Sequence, residues 1–160
     1  MRTADEWFDL YGESHQNPTN KLIHWFCVPV IFFCTIGLFW SIPMFSLPSA
    51  IPTALKPFVN WATILIVLAT FFYLRLSLKL SVGILSFTSL CIWGNHAIAQ
   101  SGFMPLWLFS LIVFVVAWIG QFIGHKIEGK KPSFFEDLQF LLIGPAWLMH
   151  FLYKKAGISY

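Results

Sequence analysis

Residues 118–132 read WIGQFIGHKIEGKKP, and this stretch decides the fold. A long apolar run ends here, because the glycine, lysines and proline at its close are typical helix-terminating residues. On a helix, four side chains of the stretch share one face at spacings of three, four and three residues: Trp118, Gln121, His125 and Glu128. Polar groups at the end of a membrane helix are costly to keep, so this face predicts a functional site.

Two glycines define an adjacent face of the same helix. Gly120 and Gly124 carry no side chain, so another helix can approach closely beside the polar face. We therefore expect a tightly packed helix pair at this position.

The composition indicates a membrane protein. Hydrophobic residues make up 58% of the 160 residues and charged residues only 11%, whereas soluble domains have about 25% charged residues. We expect one all-α, polytopic membrane domain over residues 1–160. The net charge of +3 is small and spread among loops, which argues against nucleic acid as a partner. Cys27, Cys34 and Cys91 lie in apolar runs and are expected to be buried packing thiols.

The apolar runs predict four transmembrane helices of a length that suits a bilayer. They cover residues 22–45, 58–74, 80–99 and 104–124. Residues 3–15 predict an amphipathic helix that lies at the membrane interface. A fifth apolar run, residues 138–153, is interrupted by Gly144 and Pro145. We prefer a re-entrant or interfacial hairpin there, with a tilted span as the alternative.

The positive charges predict the orientation of the protein. With the N-terminus in the cytoplasm, five basic residues of the connecting segments are also cytoplasmic: Arg75, Lys79, Lys126, Lys130 and Lys131. This distribution follows the positive-inside rule, and it places both termini in the cytoplasm. The membrane is either a bacterial inner membrane or an endoplasmic reticulum.

The same topology sorts the histidines. His15, His24 and His125 fall on the cytoplasmic side, and the break at Asn17-Pro18 allows the first helix to aim His15 back at His24. With Glu128, three imidazoles and one carboxylate could then meet in one pocket. A histidine–carboxylate set with open positions suits non-haem Fe(II) and oxygen chemistry.

Each of these residues also has an ordinary structural interpretation. His24 could be an interfacial residue, and His15 could be a solvated helix end. Glu128 could form a helix-end ion pair with a neighbouring lysine, and Gln121 could bridge two helices. We expect structural roles for the remaining two histidines, His96 and His150.

Two motifs resemble those of a known family. The first consists of Tyr11, His15, Asn20, His24 and Pro29, and the second runs from Trp118 to Pro132 through Gln121, Gly124, His125 and Glu128. Over nearly its whole length, the chain resembles the small membrane 2-hydroxy fatty acid dioxygenases, a family with a role in phytosphingosine degradation.

The resemblance implies an Fe(II)-dependent α-oxidation with O2, in which a 2-hydroxy fatty acid becomes a fatty acid one carbon shorter. It implies that His15, His24 and His125 are iron ligands and that Glu128 is a fourth ligand or a base beside the site. It further implies that the side chains which orient ligands or substrate are Tyr11, Asn20 and Gln121.

Two other functions stay open at this stage. A non-enzymatic lipid-binding or scaffold bundle would hold no metal, and a zinc-dependent membrane lipid hydrolase would work without oxygen.

Overall fold

The computed structural model describes residues 3–44, 48–129 and 134–160, with all their side chains except those of residues 134–139. This part of the chain contains helices and no strand, which confirms the predicted all-α class. Besides a short 3-10 turn at Lys56–Phe58, it has six α-helices: α1 (Ala4–Gly12), α2 (Pro18–Trp40), α3 (Trp61–Leu76), α4 (Leu78–Ser101), α5 (Leu106–Glu128) and α6 (Phe134–Lys155).

Three of these helices, α2, α4 and α5, are long and apolar enough to cross a membrane. Helix α3 is apolar but has only 16 residues, so the count of four spans stays a prediction. Its exposed Leu68 and Phe71 are nevertheless the type of side chain that faces lipid. The first predicted span is displaced: α2 begins and ends earlier than residues 22–45, and residue 45 itself lies outside the described residues.

Local signals explain where the two central helices begin and end. Asn17 caps the start of α2, because its side chain accepts a hydrogen bond from the Thr19 N–H at 2.9 Å. Pro18 follows at the first helical position, where its missing N–H costs nothing. Helix α5 ends at Gly129, whose φ of 76° is left-handed and favours glycine.

The predicted close helix pair is confirmed between α2 and α5, which form the most extensive helix contact in the described part of the chain. A β-carbon on Gly120 would lie 2.8 Å from the Cys27 sulfur. One on Gly124 would collide with the Asn20 side chain and would lie 3.4 Å from Cε1 of His24. The absence of side chains at these two glycines therefore lets α2 bring its polar end against α5.

Helix α6 corrects one prediction. It runs as a single helix through Pro145, so the hairpin expected at Gly144 and Pro145 is wrong. Pro145 removes one helical hydrogen bond. The helix is held on both sides of it by burial, because Ile143, Ala146 and Trp147 pack into the core with α1. The interfacial placement of α6 stays a prediction.

Contacts between distant segments show which parts share one end of the bundle. Lys79, at the connection of α3 and α4, donates to the Ser159 carbonyl at 2.5 Å. Tyr160 donates to a carboxylate oxygen of Asp5 at 3.3 Å. The two ends of the described chain therefore lie together, and His96 lies elsewhere, against Trp40 and Phe58. Which side of the membrane this shared end faces stays a prediction.

The burial predicted for the cysteines is confirmed for two of the three, and Cys27 is only partly buried. Cys27, Cys34 and Cys91 are free thiols, and the last two are buried among the apolar side chains of the bundle.

Candidate metal centre

Three histidines that are distant in sequence meet at one end of the bundle. Each offers one ring nitrogen, and these three nitrogens all lie within 4.8 Å of one another. The ring centroid of His24 is 4.2 Å from that of His15 and 5.0 Å from that of His125. All three are buried, with His15 and His24 only 1% exposed and His125 7% exposed. In the part of the chain described, no other set of metal-binding side chains is grouped in this way.

Backbone carbonyls orient two of the rings in the same manner. Nδ1 of His15 lies 2.6 Å from the Tyr11 carbonyl, and Nδ1 of His24 lies 2.9 Å from the Asn20 carbonyl. A carbonyl only accepts hydrogen bonds, so Nδ1 carries the hydrogen in both rings and Nε2 keeps its lone pair. This is the tautomer that a metal ligand requires, with the other nitrogen held by a fixed acceptor.

The turn between α1 and α2 brings His15 into the group. The chain breaks after α1, and the His15 ring stacks on the Tyr11 ring with their centroids 4.1 Å apart. Burial lowers the pKa of His15 to about 4, and the nearby His125 acts in the same direction. His15 is therefore neutral at pH 7, and its buried Nε2 has no hydrogen-bond partner in the protein.

Glu128 lies beside the histidine group and is not a member of it. Its carboxylate accepts hydrogen bonds from the backbone N–H groups of Gln16 and Asn17 at 2.8 and 2.9 Å. It also accepts one from the side-chain amide of Asn20 at 2.9 Å. Glu128 therefore ties the end of α5 to the segment that carries His15.

The histidines border a small cavity of about 30 Å³, which is enough for an ion or one to two water molecules. Its lining also includes Tyr11, Val28, Ile31, Trp118, Gln121, Phe140 and Leu141. Three buried polar atoms of this lining have no partner in the protein: Nε2 of His15, Nε1 of Trp118 and Oε1 of Gln121. Buried polar groups are normally paired, so these atoms indicate a polar ligand in the cavity.

Other residues predicted for the site also lie around it. Asn20 is fully buried, and its carbonyl orients His24 while its side chain binds Glu128. Tyr11 orients His15, and Gln121 lines the cavity. The sequence prediction assigned no role to Trp118, although its position on one face with Gln121 and His125 was a usable signal.

The other two histidines are not part of the group. His96 packs between aromatic rings away from it. His150 hydrogen-bonds to Tyr160 and contacts the ring of Phe8 at a centroid distance of 5.1 Å.

The donor set fits a first-row transition-metal ion. Neutral imidazoles suit iron, zinc, copper and nickel, and three of them leave positions open for further ligands. The unpaired Nε2 of His15 is the observation that supports this fit most directly.

Comparisons with known proteins agree with these features. The model of a family described as 2-hydroxy-palmitic acid dioxygenase Mpo1-like matches residues 1–156. The 2-hydroxy-palmitic acid dioxygenase MPO1 of Saccharomyces cerevisiae is 29% identical over 148 residues, which cover 91% of this chain and 77% of the yeast protein. No solved structure matches the chain. The family match extends over almost the whole sequence and confirms the resemblance seen in the two motifs, so the chain belongs to the Mpo1-like family.

Proposed function

We propose that the protein is a membrane-bound, Fe(II)-dependent dioxygenase that shortens 2-hydroxy fatty acids by one carbon. The observation that carries the proposal is the convergence of three buried imidazoles, two of them fixed with their Nε2 lone pairs available. The dioxygenase named among its relatives supports the substrate class and the use of O2.

The reaction balances without a further reductant. The bond between C1 and C2 breaks, C1 leaves as carbon dioxide, and C2 becomes the new carboxyl carbon. These changes remove four electrons from the substrate, and the same four electrons reduce one O2. One of its oxygen atoms is balanced by the water molecule formed and the other by the additional oxygen of the new carboxyl group. The proposal therefore needs only the 2-hydroxy fatty acid, O2 and the metal.

His15, His24 and His125 would hold the iron in this proposal. Iron held there would supply open positions for the 2-hydroxy acid and for O2 and would activate O2 for the oxidation. Glu128 positions His15 through the segment it anchors, and it would not be a ligand.

The remaining lining residues would orient the substrate and exclude water. The indole N–H of Trp118 can donate to a carboxylate oxygen, because it is buried against the cavity without a partner. The amide of Gln121 can hold the 2-hydroxyl group from the same helix face. Val28, Ile31 and Phe140 form apolar walls that limit water in the cavity.

We also propose that the site opens at the cytoplasmic face of the membrane. The lysine and arginine distribution supports this orientation, and both ends of the described chain lie at the site's end of the bundle. One membrane domain would then contain the entire catalytic unit.

Metal analysis of anaerobically purified protein, followed by turnover of 2-hydroxypalmitate, tests the proposal. Iron together with O2-dependent formation of pentadecanoate would support it. Zinc with oxygen-independent activity would indicate a hydrolase, and a metal-free protein without turnover would indicate a non-enzymatic lipid-binding or scaffold bundle. Either of these results would overturn the proposal.

A further inference from the structure

A second and larger cavity lies beside the metal centre. Its volume is about 300 Å³, against about 30 Å³ for the histidine cavity, and it is lined by residues of α2, α3, α4 and α6. Apolar side chains such as Phe32, Ile36, Leu65, Ile66 and Ile84 form most of its wall. We refer to it as the apolar chamber.

The apolar chamber continues the histidine cavity along one face of α2. Val28 and Ile31 line the histidine cavity, and Phe32, Ile36 and Phe39 line the chamber. These positions recur at helical spacing, so they follow one another along a single stripe. From His24 to Phe39 the stripe rises about 22 Å, at 1.5 Å per residue.

Leu141 of α6 borders both cavities. Its side chain is only partly buried, unlike that of the fully buried Ile143. The side chain of Leu141 therefore lies at the boundary between the chamber and the histidine cavity.

The hydroxyl groups in the chamber wall leave no hydrogen-bond donor for a polar ligand. Thr35, Thr70 and Thr88 each donate to the carbonyl four residues earlier in their own helix, at 2.7 to 2.8 Å. Tyr73 donates to the Leu142 carbonyl at 2.9 Å. The histidine cavity differs, because three polar atoms there have no partner. Together the two cavities fit a molecule with a polar head and an apolar tail.

The other approach to the histidines does not suit an apolar tail. A third cavity reaches His15 from the side of α1. Its lining includes aromatic side chains and Lys21, but the carboxylates outnumber that one cation: Asp5, Asp9 and Glu13. Carboxylates repel the anionic head of a fatty acid and do not stabilise its hydrocarbon part. The apolar chamber is therefore the better place for the tail.

We propose that the apolar chamber is the acyl-chain site and that it sets the chain-length preference of the enzyme. This inference rests on the proposed function, because that function places the 2-hydroxy acid head at the histidines. Each methylene group that enters the chamber strengthens binding by about fourfold, until the chamber is filled.

Enlarging one wall residue tests the proposal. Leu65 lines the chamber on α3, about 12 Å along the helix from Tyr73 at the end near α6. Leu65→Trp fills the far part of the chamber, and Leu68→Trp is the matched control because Leu68 is 61% exposed on the same helix. Dissociation constants and kcat/KM are measured for the series from 2-hydroxyoctanoate to 2-hydroxypalmitate.

We expect Leu65→Trp to weaken binding of 2-hydroxypalmitate by about tenfold or more, since at least two methylene groups lose their place. For 2-hydroxyoctanoate, the dissociation constant and kcat/KM of Leu65→Trp stay within twofold of those of the unmodified protein. The Leu68→Trp control has the same constants as the unmodified protein throughout the series. An equal loss for every chain length, or no loss for any, overturns the proposal.

Photolabelling of the unmodified protein gives a second test that does not depend on a variant folding. A 2-hydroxypalmitate with a diazirine at its terminal carbon is bound without oxygen and irradiated. We expect labelled peptides from the chamber-lining parts of α2 and α3 and competition by unlabelled 2-hydroxypalmitate. Label confined to lipid-facing residues overturns the proposal. The proposal is also overturned if a diazirine phospholipid labels the chamber equally well and 2-hydroxypalmitate cannot displace it.

The two tests also separate this inference from the proposed function. Turnover without label in the chamber refutes the acyl-chain site and leaves the dioxygenase assignment intact. Label in the chamber of a protein that converts no substrate refutes the assignment and leaves a fatty-acid-binding site.

Discussion

Replacing Glu128 with glutamine separates an anchoring residue from a metal ligand. The carboxylate accepts three short hydrogen bonds from Gln16, Asn17 and Asn20, and this segment carries His15. Glutamine has nearly the same shape and removes the charge and one of the two acceptor oxygens. Its NH2 group would face an N–H donor, so one or two of the three hydrogen bonds would be lost.

The expected magnitude follows from these bonds. A hydrogen bond to a charged group contributes about 1.5–3 kcal/mol, and the lower end applies because Glu128 is partly exposed to solvent. We expect the variant to lose about 2 kcal/mol of the free energy that holds the His15 segment against α5. This loss corresponds to about 30-fold weaker iron binding. This value lies within the range of about 10–100-fold for residues that orient metal ligands.

The assay is anaerobic titration of Fe(II) against a competing chelator, performed for Glu128→Gln, His125→Ala and a control. Lys126→Gln is the matched control, because it changes one charge at an exposed position on the same helix turn. We expect His125→Ala to lose iron, Glu128→Gln to bind it about 30-fold more weakly, and Lys126→Gln to be unchanged. Unchanged affinity in Glu128→Gln would refute the anchoring role, and complete loss of iron would make Glu128 a ligand.

Three further predictions concern single side chains in and around the site. Gly124→Ala introduces a β-carbon against Asn20, and we expect chemical denaturation to show a loss of about 1–3 kcal/mol, with weaker iron binding. Trp118→Phe removes the unpaired indole N–H and keeps an aromatic ring in its place, so KM for 2-hydroxypalmitate should rise about tenfold while iron content stays constant. His96→Ala should keep both iron and turnover in the same assays, because its ring packs on Trp40 and Phe58.

The histidine group could be predicted from the sequence because its determinants are local. The spacing of Gln121, His125 and Glu128 places them on one helix face, and the Asn17-Pro18 break allows His15 to turn back. The distribution of lysine and arginine independently predicted that the three histidines lie on the same side of the membrane. The helices of the bundle were predictable for the same reason, since long apolar runs form helices in a membrane.

Other features depend on tertiary packing and gave no local signal. Proline breaks many helices, but α6 continues through Pro145, where Ile143 and Ala146 are buried in the core. Ion pairing of Glu128 with a nearby lysine was open from sequence, whereas the structure gives it backbone N–H donors more than a hundred residues away. The apolar chamber has no sequence signature, because a lining leucine and a lipid-facing leucine cannot be distinguished by type.

The central claim is that the three histidines hold an iron that couples O2 to the loss of one carbon. The most direct test compares metal-free protein reloaded anaerobically with Fe(II) or with Zn(II), and counts products after O2 is admitted with 2-hydroxypalmitate. The account predicts one iron bound per chain, and one pentadecanoate and one carbon dioxide formed for each O2 consumed, only in the iron-loaded protein. Equal activity with zinc, or loss of substrate before O2 is admitted, would contradict it.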